Sequence, residues 1–218
     1  HTREEGYKRA NQILDYSRPP FRRWFVGGET NLCHNAVDRH LVERGDQLAL
    51  AVISTEANTR RHFSYRELYR EVNEFAAVLL ALGVGRGDRV VVYMPNMAEA
   101  VFATLACARI GAIHSVVFGG FAAHNLALRI DDARAKLLIC ADAGLRAGKT
   151  IRYKPLVDEA LALAQFPPEH VLIVSRGLDE QLQRVPGRDL DYADLKAAHA
   201  GAEVPVTWLE SNEPSYLL

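Results

Sequence analysis

Fourteen residues near the middle of the chain, Leu137 to Thr150 (LLICADAGLRAGKT), run from an apolar strand straight into a glycine-bearing basic loop. In alternating α/β folds, a strand's carboxyl end opens onto a crevice where backbone amides and cationic side chains meet phosphate. Arg146 offers the planar fork that matches a phosphate, and Lys149 offers a point charge. The segment GLRAGKT is also one residue short of a Walker A motif, with three residues between its glycines where that motif has four. Dropping one residue from a loop whose successive amides cradle phosphates breaks the cradle. No acidic Walker B strand follows, since VLIV runs into Ser175. An ATP loop, a nucleotide contact of another kind and a solvated basic loop are all open readings of these residues.

A second candidate lies one strand-helix repeat earlier. Phe118, Gly119, Gly120 and Phe121 follow the apolar run IHSVVF and precede a helical pattern. Paired glycines let a flat base or a phosphate approach the backbone, and either phenylalanine can pack on an adenine. The structural alternative is a tight strand-to-helix turn with a core phenylalanine. Gly83, Gly85 and Gly87 come after a helix and before a strand, the reverse of a dinucleotide fingerprint, and read as a helix end and turn. Cys33, His34, Asp38 and His40 look at first like metal ligands. Adjacent residues do not face each other on a helix, however, and histidines six apart point nearly opposite ways, so burial or capping is expected. Asp131 and Asp132 read as a solvated helix face.

The elements that must position these loops follow a regular pattern from Arg60 onward. Ser64 and Glu67 have capping-box spacing, and Leu68, Val72, Phe75, Val78, Leu79 and Leu82 recur at helical intervals up to Gly83. Strand RVVVYMP, a helix from about Ala98 to Ile110, strand IHSVVF, helix HNLALRIDDA and strand KLLICAD follow. Helix YKPLVDEALALA, strand HVLIVSR and helix YADLKAAHA complete the cycle. Such alternation predicts an α/β fold, a largely parallel sheet with helices on both faces. Residues 1–45 carry an aromatic and proline cluster (YSRPPFRRWF) and a short helix around NAVDRHLVERG, leading to strand QLALAVIS. They read as an N-terminal extension packed on the core, with residues 46–218 as the α/β part. NEPSYLL reads as a turn entering a strand.

Bulk properties narrow the function classes. Twenty-six basic against 27 acidic residues leave the chain near neutral, which favours neither nucleic acid nor an anionic membrane surface, so any anion site is local. The apolar region from Met97 to Gly120 is interrupted by Glu99, Arg109 and His114, which argues against a membrane span. The polar start HTREEGYKRA shows no signal peptide, and three widely spaced cysteines, Cys33, Cys107 and Cys140, fit a reducing cytoplasm.

With these segments in order, the chain resembles the N-terminal part of the AMP-forming acyl-CoA synthetases, the superfamily that includes adenylation domains and luciferase. TNLCHNAVDRHL, FSYRELYREVNEFAAVLLALGVGRGDRVVVYMPNMAEAVFATLACARIGAIHSVVFGGF and ADAGLRAGKTI carry the resemblance, which runs from about Pro19 to Leu218. The long stretch is similar to the acetyl-CoA and propionyl-CoA synthetase branch. PPFRRWFVGG, LCHNAVDRH and RYKPLVDEAL resemble the propionate enzymes more closely than the acetate ones.

The resemblance implies the large AMP-binding domain, truncated before its ATP-phosphate loop, and a two-step reaction. Propionate attacks the α-phosphate of ATP, and the CoA thiol then displaces AMP; CoA and ATP are substrates and Mg²⁺ assists. It implies that Phe118, Gly119 and Gly120 lie against the CoA adenine, and that Arg146, Ala147, Gly148 and Lys149 form the basic loop that meets the 3′-phosphate. Relatives of the acetate type often carry arginine at the position of Lys149, so the lysine is expected to act only as a point charge. The ATP-phosphate loop, the acyl pocket and the catalytic lysine are expected beyond Leu218, on the remainder of the chain with its mobile C-terminal domain. No residue in this stretch is therefore expected to be catalytic or to bind metal, and the stretch alone is expected to be inactive. Two other classes stand beside this one. A P-loop NTPase accounts only for GLRAGKT, and an interaction module would use the sheet edge that truncation exposes.

Overall fold

Runs such as VVVYM and LLICA contain no polar alternation, so both of their faces must be covered, and parallel strands between two helical layers provide that. The computed structural model, which describes residues 8–54 and 58–218, has this arrangement at its centre. The first residues of the polar start, 1–7, lie outside the described residues.

The N-terminal segment opens with an antiparallel hairpin of β1 (Gln12–Arg18) and β2 (Phe21–Val26), turning at Pro19-Pro20. Strand β3 (Glu29–Thr30) follows. The helix expected around NAVDRHLVERG is three short pieces: α1 (Leu32–Ala36), a 3₁₀ turn (Asp38–His40) and α2 (Leu41–Arg44). Val37 breaks the run with φ −127° and ψ −66°, and Asp38 turns toward Arg109. Strand β4 (Leu48–Ser54) forms as expected, but it pairs antiparallel with β5 (Thr59–Ser64) in a separate ribbon. The sequence hid β5 behind Arg60, Arg61 and His62, which are exposed.

Helix α3 (Tyr65–Ala81) starts at the capping box, in which the Ser64 hydroxyl accepts from the Glu67 amide and the Glu67 carboxylate accepts from the Ser64 amide. The α/β unit continues with β6 (Arg89–Met94), α4 (Ala98–Ile110), β7 (Ile113–Phe118), α5 (Ala123–Ala133) and β8 (Leu137–Ala141). Next come β9 (Ala143–Arg146), β10 (Lys149–Arg152), α6 (Tyr153–Leu163) and β11 (His170–Val174). The described chain ends with β12 (Asp189–Asp191), α7 (Tyr192–Ala198), β13 (Leu209–Glu210) and β14 (Tyr216–Leu217), the last being the strand read from NEPSYLL.

Six strands form one parallel sheet in the order β12-β11-β8-β6-β7-β14. Its inner run, β7-β6-β8-β11-β12, is the 2-1-3-4-5 order of doubly wound sheets. The crossover from β6 to β7 runs one way and that from β7 to β8 returns past β6. Right-handed crossovers therefore lay α4 and α5 on opposite faces, and the carboxyl ends of β6 and β8 flank a switch point.

Two buried polar residues tie the N-terminal segment to this unit. Asn31, 1% exposed, donates its amide to the carbonyls of Ala108 and Thr207 at 2.7 and 2.8 Å and caps α1 through the His34 amide. Arg109, 3% exposed, pairs with Asp38 at 2.9 Å and lies over the Tyr69 ring. Cys33 is buried against this pair, and burial first of all pushes its thiol up to about 12, so it stays protonated and inert. His34 packs on Trp208. Burial and capping thus account for the Cys33 and His34 positions. Asp131 does more than face solvent, since its carboxylate accepts from the amides of Gln165 and Phe166 at 3.0 and 2.9 Å and fixes the end of α6.

At the sheet's other edge Asp189, whose carboxylate is fully buried, meets Lys154 at 2.9 Å and Arg188 at 2.6 Å. Burial pushes its carboxyl up. The Arg188 guanidinium, the Val185 amide and the Lys154 ammonium more than offset this and hold it below the usual carboxylate range. A carboxyl depressed in the folded state adds stability that is complete above its unfolded value and fades as pH falls through the folded one. Asp189→Asn is expected to lower the urea midpoint at pH 7, with the gap to wild type closing as pH drops below about 4. A gap that stays constant from pH 7 to pH 3 would rule out this contribution.

Candidate functional site

The residues after β6, β7, β8 and β11 converge at the carboxyl edge of the sheet, around a cleft of about 370 Å³. Pro95 and Asn96 come from the end of β6, Phe118 to Gly120 from the end of β7, Gly144 to Arg146 from β9 and Arg176 from the end of β11. Ile53 and Ser54 close one side from β4. This is the position at which doubly wound sheets bind ligands.

GLRAGKT is not a strand-loop-helix phosphate cradle. Residues 143–146 and 149–152 pair antiparallel, with Arg146 opposite Lys149 and Ala143 opposite Arg152. Ala147 and Gly148 form the two-residue turn with φ of +49° and +74°, both positive as a type I′ hairpin requires. Backbone groups that a P-loop would aim at phosphate therefore face each other across the ribbon, and the next helix starts only at Tyr153. What the segment presents is a pair of cationic side chains on an exposed hairpin. Neither Arg146 nor Lys149 has a carboxylate partner among the described residues.

The FGGF turn forms the facing wall. Phe118 is 62% exposed, so it is not the core residue of the structural alternative, and it meets Phe121 edge-on at 6.1 Å between ring centroids. A Cβ on Gly120 would come within 2.8 Å of the Phe118 ring and 3.3 Å of the Arg146 guanidinium, which places Arg146 directly beside the turn.

Tyr153 holds the two walls together. A Cβ on Gly119 or on Gly144 would fall inside the Tyr153 hydroxyl and 2.9 Å from the adjoining ring carbon. The two glycines thus admit a buried phenol that fills the space between turn and hairpin. Tyr153 packs against Tyr93 with ring centroids 5.0 Å apart, and the Tyr93 hydroxyl donates to the Phe121 carbonyl at 2.9 Å. Burial pushes the Tyr93 phenol up to about 12, so it stays a donor at neutral pH.

Asp142 sets the floor. Its buried carboxylate accepts from the amides of Ala143, Arg176 and Leu178 at 2.8, 2.9 and 2.9 Å, and its carbonyl accepts from the Tyr153 amide at 2.9 Å.

Of the residues expected from sequence, Phe118, Gly119, Gly120 and Arg146 line this one cleft, whereas Ala147, Gly148 and Lys149 lie at the hairpin tip outside it. Tyr153, Asp142 and Arg176 help build the cleft without any motif in the sequence to mark them. Asp142 and Arg176 each sit just past an apolar run, at KLLICAD and HVLIVSR, and that position is the signal that could have found them. Among the described residues no group of His, Cys, Asp and Glu could hold a metal ion, and no helix is long and apolar enough to cross a membrane.

The family model described as AMP-binding enzyme matches residues 37–218, and the model described as acetyl-coenzyme A synthetase N-terminus matches residues 5–36. The chain belongs to the AMP-binding enzyme family. It is 60% identical over 207 residues to a propionate–CoA ligase of Salmonella typhimurium, covering 95% of this chain and 33% of that protein. Against an Escherichia coli propionate–CoA ligase it is 58% identical, with the same coverage of 95% and 33%. The human mitochondrial acyl-CoA synthetase short-chain family member 3 is 42% identical over 97% of this chain and 31% of its own length. Acetoacetyl-CoA synthetase from Streptomyces lividans superposes with a TM-score of 0.84 at 26% identity, covering 98% of this chain and 31% of that one. The chain thus spans about a third of the length of the relatives it matches, and the family and fold read from its sequence hold.

The Tyr153 wedge is testable by a double-mutant cycle. Gly144→Ala is expected to cost about 1–3 kcal/mol in urea unfolding through overpacking. Tyr153→Phe, which removes the crowded hydroxyl, is expected to cost less in that background than alone. Strictly additive effects would contradict the contact.

Proposed function

We propose that this chain is the N-terminal portion of a cytoplasmic AMP-forming propionate–CoA ligase (propionyl-CoA synthetase), and that its cleft is one wall of the CoA site. The observation that carries the reading is that the FGGF turn and Arg146, distant in sequence, meet side by side in one cleft at the carboxyl edge of the sheet. The identity to propionate–CoA ligases of two bacteria supports the reaction class. Cys33, Cys107 and Cys140, all free and buried, fit a reducing compartment.

In the whole enzyme a propionate oxygen attacks the α-phosphorus of ATP, forming propionyl-AMP as pyrophosphate leaves. The CoA sulfur then attacks the acyl carbon, and AMP leaves with the bonding electron pair. Residues of this chain bind and orient the second substrate. The exposed Phe118 ring and the Gly119-Gly120 backbone take the adenine, and Arg146 takes the 3′-phosphate through its guanidinium fork. Lys149 adds a point charge, and Ala147 and Gly148 supply the turn that sets Arg146 and Lys149 side by side. The Tyr153 wedge holds the gap between the walls before the ligand arrives.

The described residues offer no ligand set for the Mg²⁺ that the resemblance implies, so no step is assigned to it here. Residues 1–45 serve as the extension and residues 46–218 as the α/β part of the AMP-binding large domain. Because the chain spans about a third of the propionate–CoA ligases it matches, we assign the ATP-phosphate loop, the acyl pocket and the mobile C-terminal domain to the remainder of the whole protein, and these 218 residues alone are proposed to form no adenylate. Propionate-dependent exchange of pyrophosphate into ATP by them would contradict this.

The match of residues 5–36 to an acetyl-coenzyme A synthetase N-terminus favours a second reading, an acetate enzyme of the same branch. Rates of the complete enzyme with acetate, propionate and butyrate separate the two. For the CoA site, Arg146→Ala in the complete enzyme is expected to raise the KM for CoA roughly tenfold or more, with the KM values for ATP and propionate within about twofold. An equal rise in all three would make Arg146 a structural residue.

A further inference from the structure

Among the described residues, the cleft lining carries two guanidinium groups, Arg146 and Arg176, and no carboxylate. Arg176 enters it from the floor. Its backbone amide donates to the Asp142 carboxylate at 2.9 Å and its Nη1 donates to the Ala143 carbonyl at 3.2 Å. The Asp142 carboxylate is already occupied by backbone amides, so it fixes the chain at Arg176 without pairing with the guanidinium. Nearby arginines have carboxylate partners, Arg61 with Glu99 at 2.6 Å and Arg152 with Asp179 at 2.8 Å. Arg176 is half-buried and has none among the described residues. A partly desolvated guanidinium with one neutral acceptor is costly by itself and favours a ligand that brings negative charge.

We infer that Arg176 is a second anion-binding residue of this cleft, contacting the 5′-diphosphate of the CoA nucleotide while Arg146 contacts its 3′-phosphate. The inference rests on the CoA reading of the cleft. Arg146 stands on the hairpin beside Gly120, and Arg176 comes from the next strand across the sheet, past β8. The two charges thus approach from different walls, as a ligand with phosphates on both sides of one ribose requires. Arg176 also lines the neighbouring cleft with Asn96 and Ser175. A phosphate chain of ATP offers the same chemistry, and the experiment separates the two sources.

The test uses the complete enzyme with CoA and with 3′-dephospho-CoA, which keeps the diphosphate and lacks the 3′-phosphate. Arg176→Gln retains a donor for the Ala143 carbonyl and removes the charge. The expected result is a KM raised roughly tenfold for both thiols, with the preference for CoA over dephospho-CoA preserved and the KM values for ATP and propionate within about twofold. Arg176→Lys is expected to recover part of the loss, because a charge is restored. Arg146→Ala is expected to abolish the preference for CoA. Unchanged KM values for both thiols in Arg176→Gln would overturn the inference. So would an equal or larger rise for ATP, or Arg176→Lys behaving no better than Arg176→Gln. If Arg146→Ala instead keeps the full preference for CoA, the 3′-phosphate reading of the hairpin fails, whatever the Arg176 variants show.

Discussion

The architecture of the cleft depends on one buried carboxylate. Asp142 stands at the carboxyl end of β8, 1% exposed, and gathers amides from its own hairpin and from the loop after β11. Its carbonyl anchors the first residue of α6. Three elements that approach from different directions are therefore fixed to a single residue. Burying an ionised group is costly unless its lone pairs are filled, and here backbone donors fill them without consuming a cation. The arginines of the cleft are left available for a ligand as a result.

From this floor the walls follow. The amide of Tyr153 is held by Asp142, and its ring reaches between Gly119 and Gly144, so the distance between the FGGF turn and the hairpin is set by a side chain. Tyr93 fixes the far side through the Phe121 carbonyl. A ligand entering between Phe118 and Arg146 meets walls already in place, and little ordering is left to oppose binding.

Much of this was legible in the sequence, for identifiable reasons. VVVYM, SVVF, LLICA and VLIV are continuous apolar runs and could only be buried strands, and Ser64 with Glu67 marked the start of α3. The FGGF and Arg146 positions were visible because a doubly wound sheet sends the ends of consecutive strands to one edge. The hairpin is hidden in the sequence because its turn is Ala147-Gly148 where Asn-Gly would be the strong signal, and because its near-Walker spacing reads as a loop. Tyr153 was hidden for a different reason. It reads as the first residue of an amphipathic helix, and the glycines that admit it belong to two other segments, so no local pattern reveals the contact. The Cβ sides of Gly119 and Gly144 are taken by this phenol, so at Gly119 only the backbone is left for a ligand to approach.

The proposed role of the cleft beside Phe118 and Arg146 is to hold the nucleotide of CoA. A crystal structure of the complete enzyme with CoA tests that most directly. The 3′-phosphate is expected at hydrogen-bond distance, about 3 Å, from the Arg146 guanidinium, with the adenine against the FGGF turn. A CoA nucleotide bound elsewhere, or ATP in this cleft, would contradict it.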